Sequence, residues 1–420
     1  MLVLASLAGL MAVEPAGAAP LDPAVDRARP IASAALGPAR AQEGTRLAFW
    51  AGEAVPGTKW SLPGTYWNRR DTSSYTPGLW RVLRRHHIPL YFNLRYRRDF
   101  GPVPRGRPRY DDALSIIRRA NRHGVTVWAW ILTPFTKGYW AWEGAAPENF
   151  EAVKALVRWA EAKRVRLRGL VLDFESPVQT TLEGTPALLG AAGTSELPSS
   201  LWEAIDPRGQ CRAWRGYARI AFWAKRNGVR LAATPVATAL DDLDFGGIAL
   251  QDAAQFVVPD APWHTLFFQA YRSTFTYHLG QDPGPGIIPS YFRSARRAYG
   301  TPGQVSLGSA GRGPYRRLSP LVHDIRVAAT MGARQVPIYS LERTLRAYGG
   351  PRSVVTLAEA ARRPFIGRQA ARAASPTPRA RAIRAAIRRL DVAVTRATPS
   401  ITAAAGSSRP ANPWPDGCAG

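Results

Sequence analysis

Gly169-Leu170-Val171-Leu172-Asp173-Phe174-Glu175-Ser176 is a short apolar run that leads directly into two acids with one aromatic residue between them. Side chains alternate along a β-strand, so Asp173 and Glu175 are expected on the same side of it. The segment therefore predicts a strand that ends in a pair of carboxylates.

Seven further runs of apolar, β-branched or aromatic residues lie along the chain, and longer amphipathic stretches separate them. In chain order the eight predicted strands are Arg46–Ala51, Ile88–Leu94, Val125–Leu132, Arg168–Phe174, Val229–Thr234, His264–Ala270, Gln304–Gly308 and Gln335–Ser340. Strand–helix alternation is typical of a parallel sheet with crossover helices. Eight such units in roughly 300 residues predict an α/β fold, a (β/α)8 TIM barrel over residues 45–365.

Apolar residues at helical spacing predict the helices between these runs. The predicted helices are Tyr110–His123, Phe150–Arg164, Gly209–Asn227, Tyr291–Tyr299 and Pro320–Met331. Gly124, Gly228 and Gly332 stand at three helix ends and are expected to adopt the left-handed conformation that stops a helix. A doubly wound open sheet is the alternative fold, but Ala51-Gly52-Glu53 after the first run lacks a glycine-rich dinucleotide pattern.

The two ends of the chain differ from this alternating region. Residues 1–19 resemble a secretory signal peptide, with an apolar stretch followed by small residues, and residues 20–44 resemble a linker rich in Pro, Ala and Arg. Residues 366–420 predict an Arg/Ala-rich C-terminal helix followed by a disordered tail. We therefore expect a secreted or cell-wall-associated protein without a transmembrane span, in which Cys211 and Cys418 could pair.

The chain is strongly basic, with 56 Lys and Arg against 30 Asp and Glu and a formal net charge of +26. This charge is compatible with a polyanion partner such as nucleic acid, teichoic acid or an acidic polysaccharide. It is also compatible with a compositional drift that inflates Arg, Ala, Gly and Pro together, which is the interpretation we favour. We expect no specific nucleic-acid partner, although the positive field favours retention at an anionic cell wall.

The carboxylate pair is the main candidate for chemistry. Two carboxylates on one face oppose each other's ionisation, which raises one pKa and leaves a carboxylic acid near neutral pH. In a TIM barrel the C-terminal strand ends form the catalytic face. The sequence contains no P-loop, HExxH or Cys/His metal pattern, so we expect neither a cofactor nor a metal.

The fourth run resembles the strand-four motif of family 18 glycoside hydrolases, the chitinase-like enzymes, whose pattern is D-G-x-D-x-D-x-E. Gly169, Asp173 and Glu175 match this pattern, whereas Arg168 and Val171 replace its first two acids. The resemblance implies that Glu175 protonates the glycosidic oxygen and that Asp173 orients the N-acetyl group of the substrate. The shorter D-x-E end is also similar to other barrel glycosidases, including the lysozyme-like family 25.

Other strand ends supply candidate substrate-binding residues: Asn93 after strand two, Trp130 and Trp142 in and after strand three, Gln269 and Tyr271 after strand six, and Glu342 after strand eight. The family resemblance implies that Tyr271 holds the acetamido group. Glu342 could be a second carboxylate across the mouth, in which case Tyr339 would face the helices. The alternative that we favour is an ion pair of Glu342 with Arg343 or Arg346. The acids in Leu240-Asp241-Asp242-Leu243-Asp244 could bind a cation or sugar hydroxyls, or begin a helix.

Three functions remain open from the sequence. The first is a secreted hydrolase of a polysaccharide or cell-wall glycan, in which Glu175 is the general acid. The second is a glycan-binding barrel without catalysis, suggested by Arg168 and Val171 at the positions of missing acids. The third is a basic surface binder, which requires Arg clustered on one face of the folded protein.

Overall fold

The computed structural model describes residues 44–53, 66–177 and 206–397 of the 420. Eight parallel strands close into a barrel in the order β1 to β8. They are β1 Arg46–Ala51, β2 Leu90–Arg95, β3 Val127–Leu132, β4 Leu170–Phe174, β5 Leu231–Pro235, β6 Thr265–Gln269, β7 Gly303–Gly308 and β8 Gln335–Tyr339. The predicted (β/α)8 barrel is confirmed, and the open sheet is excluded because β1 pairs with β8.

Thirteen α-helices are found in the described part of the chain. They are α1 Pro77–Arg85, α2 Asp112–Arg122, α3 Ala146–Ala162, α4 Pro207–Arg226, α5 Ala239–Phe245, α6 Ala249–Ala253, α7 Arg272–Leu279, α8 Ile287–Tyr299, α9 Leu318–Thr330, α10 Leu341–Ala347, α11 Pro351–Arg362, α12 Gly367–Ala374 and α13 Pro378–Ala397. None of these helices is both long enough and apolar enough to cross a membrane.

Local sequence signals explain several helix ends. Thr76 caps α1, because its hydroxyl accepts a hydrogen bond from the Leu79 N–H at 3.2 Å and Pro77 occupies the first turn. Gly124, Gly228 and Gly332 have positive φ values of 69°, 67° and 79°, as predicted. A residue with a Cβ is strained in this conformation, so glycine turns each helix sharply into the next strand.

The barrel interior is filled by aromatic side chains that point inward from alternate strand positions. Trp50 lies at its centre, with its ring centroid 4.8 Å from that of Tyr91, 5.3 Å from that of Trp130 and 6.5 Å from that of Phe267. Gly169 lies beside this cluster, since a Cβ at that position would overlap the Trp128 ring. The interior is therefore a packed core and not a channel.

The last helix packs on the outside of the barrel beside α5 and α6. Arg384 of α13 forms ion pairs with Asp241 at 2.6 Å and Asp244 at 2.8 Å. The Asp242 carboxylate accepts hydrogen bonds from two backbone N–H groups at the start of α6. The acids of residues 240–244 therefore bind the protein's own groups, which accounts for them without a cation or a sugar.

Some predicted features fall outside the described residues. These are the signal segment 1–19, the linker up to residue 43, the end of the predicted tail from residue 398 and Cys418. Cys211 lies half-buried in α4. The part of region 366–420 that the structure describes is helical, with α12 and α13 up to Ala397.

Replacing Trp50 with Ala tests the importance of the aromatic interior. Trp50 is 1% exposed, so the substitution leaves a cavity at the centre of the barrel. We expect a loss of about 3–5 kcal/mol in the free energy of unfolding, measured in urea. Phe222→Ala is the matched control, because Phe222 is 49% exposed, and should change stability by no more than about 0.5 kcal/mol. Equal losses in both variants would contradict a central role for the interior.

Candidate active site

Asp173 and Glu175 lie at the C-terminal end of β4, one on the strand and one directly after it. The Gln269 side-chain amide donates hydrogen bonds to Asp173 Oδ1 at 3.1 Å and to Glu175 Oε1 at 2.8 Å. The two carboxyl groups also hydrogen-bond with each other. Asp173 is 3% exposed, whereas Glu175 is half-buried at the rim. The structure thus gives a deep carboxyl group bonded to an outer one.

Burial raises the pKa of Asp173, and the neighbouring Glu175 charge raises it further. Burial likewise raises the pKa of Glu175, against the lowering effect of the Gln269 hydrogen bond. Two carboxyl groups at hydrogen-bond distance in a buried site cannot both ionise at low cost, so they retain a proton above the usual carboxyl range. A retained proton is what a general acid requires.

Neighbouring strands hold the pair in place. Trp130 of β3 donates its indole N–H to Asp173 Oδ2 at 3.1 Å. The Gln269 amide donates a further, longer hydrogen bond to the Thr234 carbonyl of β5 at 3.3 Å. Donors from β3 and β6 therefore reach the acids from both sides of β4, an arrangement that depends on the closed barrel.

An aromatic rim lies beside the acids. Tyr271 follows β6 and is 8% exposed, and its ring stacks on that of Tyr339 with centroids 6.1 Å apart. The charges of Asp173 and Glu175 raise the pKa of Tyr271, after the larger effect of burial. Tyr339 contacts the interior aromatic cluster and Trp130, which corrects the expectation that it would face the helices.

Asn93 lies inward on β2 and is 5% exposed. It hydrogen-bonds with Tyr139, whose pKa is raised to about 12 by burial in spite of the nearby Arg95 charge. The Asp173 charge also raises the pKa of Tyr139, so the two residues interact electrostatically. Tyr139 was not predicted as a site residue. Its only signal in the sequence is its place in a segment rich in aromatic residues after strand three, which also contains Phe135, Trp140 and Trp142.

Buried ion pairs secure the end of β2. The Arg70 guanidinium lies 2.6 Å from Asp99 and 3.1 Å from Asp112, and Arg98 lies 2.8 Å from Asp112. Arg70 also donates to the Asn93 carbonyl at 2.7 Å. These ion pairs hold the backbone at Asn93 in place. The alternation of side chains along β2 predicts the direction of Asn93 but not these contacts.

Glu342 lies apart from the carboxyl pair. It is fully buried in the first turn of α10, where its Oε1 accepts hydrogen bonds from the Gly52 N–H at 2.7 Å and the Tyr75 hydroxyl at 2.5 Å. Burial and then the Glu53 charge raise its pKa to about 7. The predicted ion pairs with Arg343 and Arg346 go to Glu53 instead. The described contacts make Glu342 a link between β1 and α10.

The described side-chain contacts of Trp142 are with its own loop and not with the carboxyl pair. Its indole N–H donates to the Lys137 carbonyl at 2.8 Å, and its ring lies against Gly138 and Gly144, where a Cβ would overlap it. The ring remains half-buried, so part of its surface is available. Next to it, burial raises the pKa of Glu143 to about 8, with a further contribution from Asp252.

Within the described residues, no group of three or more His, Cys, Asp or Glu side chains is placed to hold a metal ion. The carboxyl pair and the donors around it are suited to proton transfer and hydrogen bonding. The cluster that the structure brings together consists of Asp173, Glu175, Gln269, Trp130 and Tyr271, with Asn93 reached through Tyr139.

No protein-family model and no curated protein matches this sequence. The chain resembles solved structures that include two glycoside hydrolases. The PgaB glycoside hydrolase domain from Bordetella bronchiseptica is 11% identical, covering 74% of this chain and 97% of that one, with a TM-score of 0.42. The family 1 β-glucosidase from Thermotoga maritima is 14% identical, covering 71% and 88%, also with a TM-score of 0.42.

A Haloferax volcanii malate synthase is similar at a comparable level, with 13% identity, coverage of 78% of this chain and 72% of that one, and a TM-score of 0.37. Proteins of different activity thus resemble this chain. The likeness concerns the barrel fold, and an assignment of function has to come from the residues of the site.

Replacing Gln269 with Leu tests how the carboxyl pair is held. Gln269 donates to both acids and lowers both pKa values, so its loss should raise the pKa values of Asp173 and Glu175. The measurement is a carboxyl 13C NMR titration of protein labelled at Asp and Glu. Gln369→Leu, on the exposed surface of α12, is the control. Unchanged or lowered values in Gln269→Leu would contradict the proposed hydrogen bonding.

Proposed function

We propose that this protein is a glycoside hydrolase of a polysaccharide or cell-wall glycan, with Glu175 as the general acid and Asp173 as its proton partner. The observation that carries the proposal is the hydrogen-bonded pair of Asp173 and Glu175 at the C-terminal end of β4, bridged by Gln269. The outer position of Glu175 suits it for contact with a substrate. The deeper Asp173 is suited to hold the proton in reserve.

In this proposal Glu175 donates its proton to the glycosidic oxygen as the bond from that oxygen to the anomeric carbon breaks. Among the described residues, Asp173 is the carboxyl group that hydrogen-bonds with Glu175. Because Asp173 is the proton partner in this proposal, the nucleophile is expected to come from the substrate. An acetamido oxygen attacks the anomeric carbon, and water then displaces it while the Glu175 carboxylate accepts the proton from that water. The charges of Asp173 and Glu175 both raise the pKa of Tyr271, so this residue lies near the pair. We propose that Tyr271 holds the acetamido group.

A glycan-binding barrel without catalysis is the second candidate. Val171 is buried in the barrel interior where the chitinase-like pattern carries an acid, so the carboxyl group next in depth below Asp173 is missing. The same aromatic rim of Tyr271 and Tyr339 would serve binding alone. The two candidates differ in turnover and not in affinity.

Export from the cell is part of the proposal. The support for it is the leader-like composition of residues 1–19 and the few thiols of the chain, with two cysteines in 420 residues. A polymeric glycan outside the cell is consistent with that location.

Glu175→Gln tests catalysis directly. The amide keeps the shape of the side chain but cannot donate the proton, so we expect hydrolysis to fall roughly a hundredfold to ten-thousandfold. The assay is release of reducing ends from a panel of polysaccharides and peptidoglycan, together with glycan affinity by calorimetry. Glu151→Gln, on the exposed surface of α3, is the control and should retain activity. Glycan binding without turnover in the unmodified protein would instead favour the second candidate.

The rate should also depend on pH with a defined sign. The acid must be protonated, and its pKa is raised above the usual value of about 4.3 for Glu. Activity should therefore persist above pH 4.3 and decline as pH rises through the raised pKa. In Gln269→Leu this decline should move to higher pH, because the lowering hydrogen bond is lost. A decline near pH 4.3, with no shift in the variant, would contradict the assignment.

A further inference from the structure

A groove with a volume of about 890 Å³ lies at the end of the barrel opposite the carboxyl pair. Its walls are the three turns that lead into β3, β4 and β5, at residues 124–127, 164–170 and 228–230. Strands of a parallel barrel all begin at one end and finish at the other, so this groove belongs to the N-terminal face. It is separate from the site described above.

The groove is strongly cationic. Four Arg side chains line it against a single acid, Glu161. All four are exposed to solvent: Arg164, Arg166, Arg168 and Arg230. No ion pair joins any of these four arginines to an acid among the described residues. The Arg166 guanidinium donates a hydrogen bond to the Asn121 carbonyl at 3.2 Å, which leaves its charge uncompensated. Their charge is therefore available to a partner from solvent.

The same charge continues around this end of the barrel. Arg46 begins β1 and its N–H donates to the Arg334 carbonyl at 3.0 Å, which places these two exposed residues side by side. His264 precedes β6, and its pKa is lowered by burial and then by the charges of Arg230 and Arg334. These positive charges disfavour the protonated imidazole.

The lining of the groove favours one type of polyanion. Arg guanidinium groups bind phosphate in a bidentate geometry. Among the described lining residues none is aromatic, whereas proteins that hold single-stranded nucleic acid use aromatic side chains to stack the bases. The groove is concave and its wall includes small residues such as Gly124 and Gly228, which suits a thin flexible chain more than a duplex.

We propose that the N-terminal face of this barrel binds a flexible polymer of repeated phosphate groups without bases, with Arg164, Arg166, Arg168 and Arg230 as the phosphate ligands. This binding site is independent of the proposed hydrolase activity. It would hold the protein on an anionic polymer and leave the carboxyl pair at the opposite face open to a glycan. The overall charge of +26 does not by itself show where on the protein such a polymer binds.

The test uses the full chain and inorganic polyphosphate as the probe, with affinity measured between 50 and 300 mM salt. In the variant R164Q/R166Q/R168Q/R230Q we expect affinity to fall roughly tenfold or more at low salt. The slope of log affinity against log salt should decrease in magnitude by about 3, since four phosphate contacts are lost. The double variants R164Q/R230Q and R166Q/R168Q should each show part of the loss, and they preserve the test if the quadruple variant does not fold.

A control variant removes the same charge from another surface. Its four exposed arginines lie on or beside the C-terminal helices: R352Q, R363Q, R368Q and R389Q. Affinity and salt slope should remain close to those of the unmodified protein. Equal weakening in both quadruple variants would show that net charge alone is responsible and would overturn the site.

Three further probes define the partner. Orthophosphate should compete only weakly, because it occupies one of several subsites. Polygalacturonate and single-stranded DNA should bind less tightly than polyphosphate of similar charge. Tighter binding of either polymer, lost in the groove variant, would overturn the choice of a phosphate polymer without bases. Hydrolysis of glycans should be unchanged in the groove variant, so failure of this proposal and failure of the hydrolase proposal are distinguishable.

Discussion

The parallel ladder between β1 and β8 closes the barrel, and the placement of the functional groups depends on it. Five register pairs from Arg46↔Gln335 to Trp50↔Tyr339 join the first and last strands. Closure directs alternate side chains into one interior, where Trp50 packs against rings from β2, β3 and β6. It also curves β3 and β6 around β4, so that Trp130 and Gln269 reach the same carboxyl group from opposite sides.

The packed interior sets the electrostatics of the acids above it. Asp173 stands where the aromatic core ends, so it is shielded from water without being surrounded by compensating cations. The Trp130 and Gln269 donors are neutral and offset only part of the cost of charging it. Glu175 is half-buried and lies closer to solvent than Asp173. In the proposed function, this difference in burial between the two hydrogen-bonded carboxyl groups keeps a proton available to Glu175.

The strands, the barrel and the shared face of Asp173 and Glu175 could be predicted from the sequence, because each rests on alternation or local turn chemistry. All eight strands match the predicted runs to within two residues at each end. Side chains alternate in direction only as far as the strand extends. Because β8 ends at Tyr339 and α10 begins at Leu341, the direction of Ser340 does not predict the direction of Glu342. The contacts of Glu342 with Gly52 and Tyr75 span almost the whole chain and carry no local signal.

The exposed arginines of the groove and the carboxyl pair lie at opposite ends of the barrel because of their positions along the strands. Arg46, Arg168, Arg230 and Arg334 lie at or just before the start of a strand, whereas Asp173 and Glu175 lie at or just after the end of one. In a parallel barrel this order along the chain becomes an order in space. These four arginines lie at one face and the carboxyl pair lies at the other, where the arginines Arg70, Arg98 and Arg343 are paired with acids. In the two proposals above, the polyanion binds at the cationic face, away from the carboxyl pair, which would repel it, and the glycan binds at the opposite face.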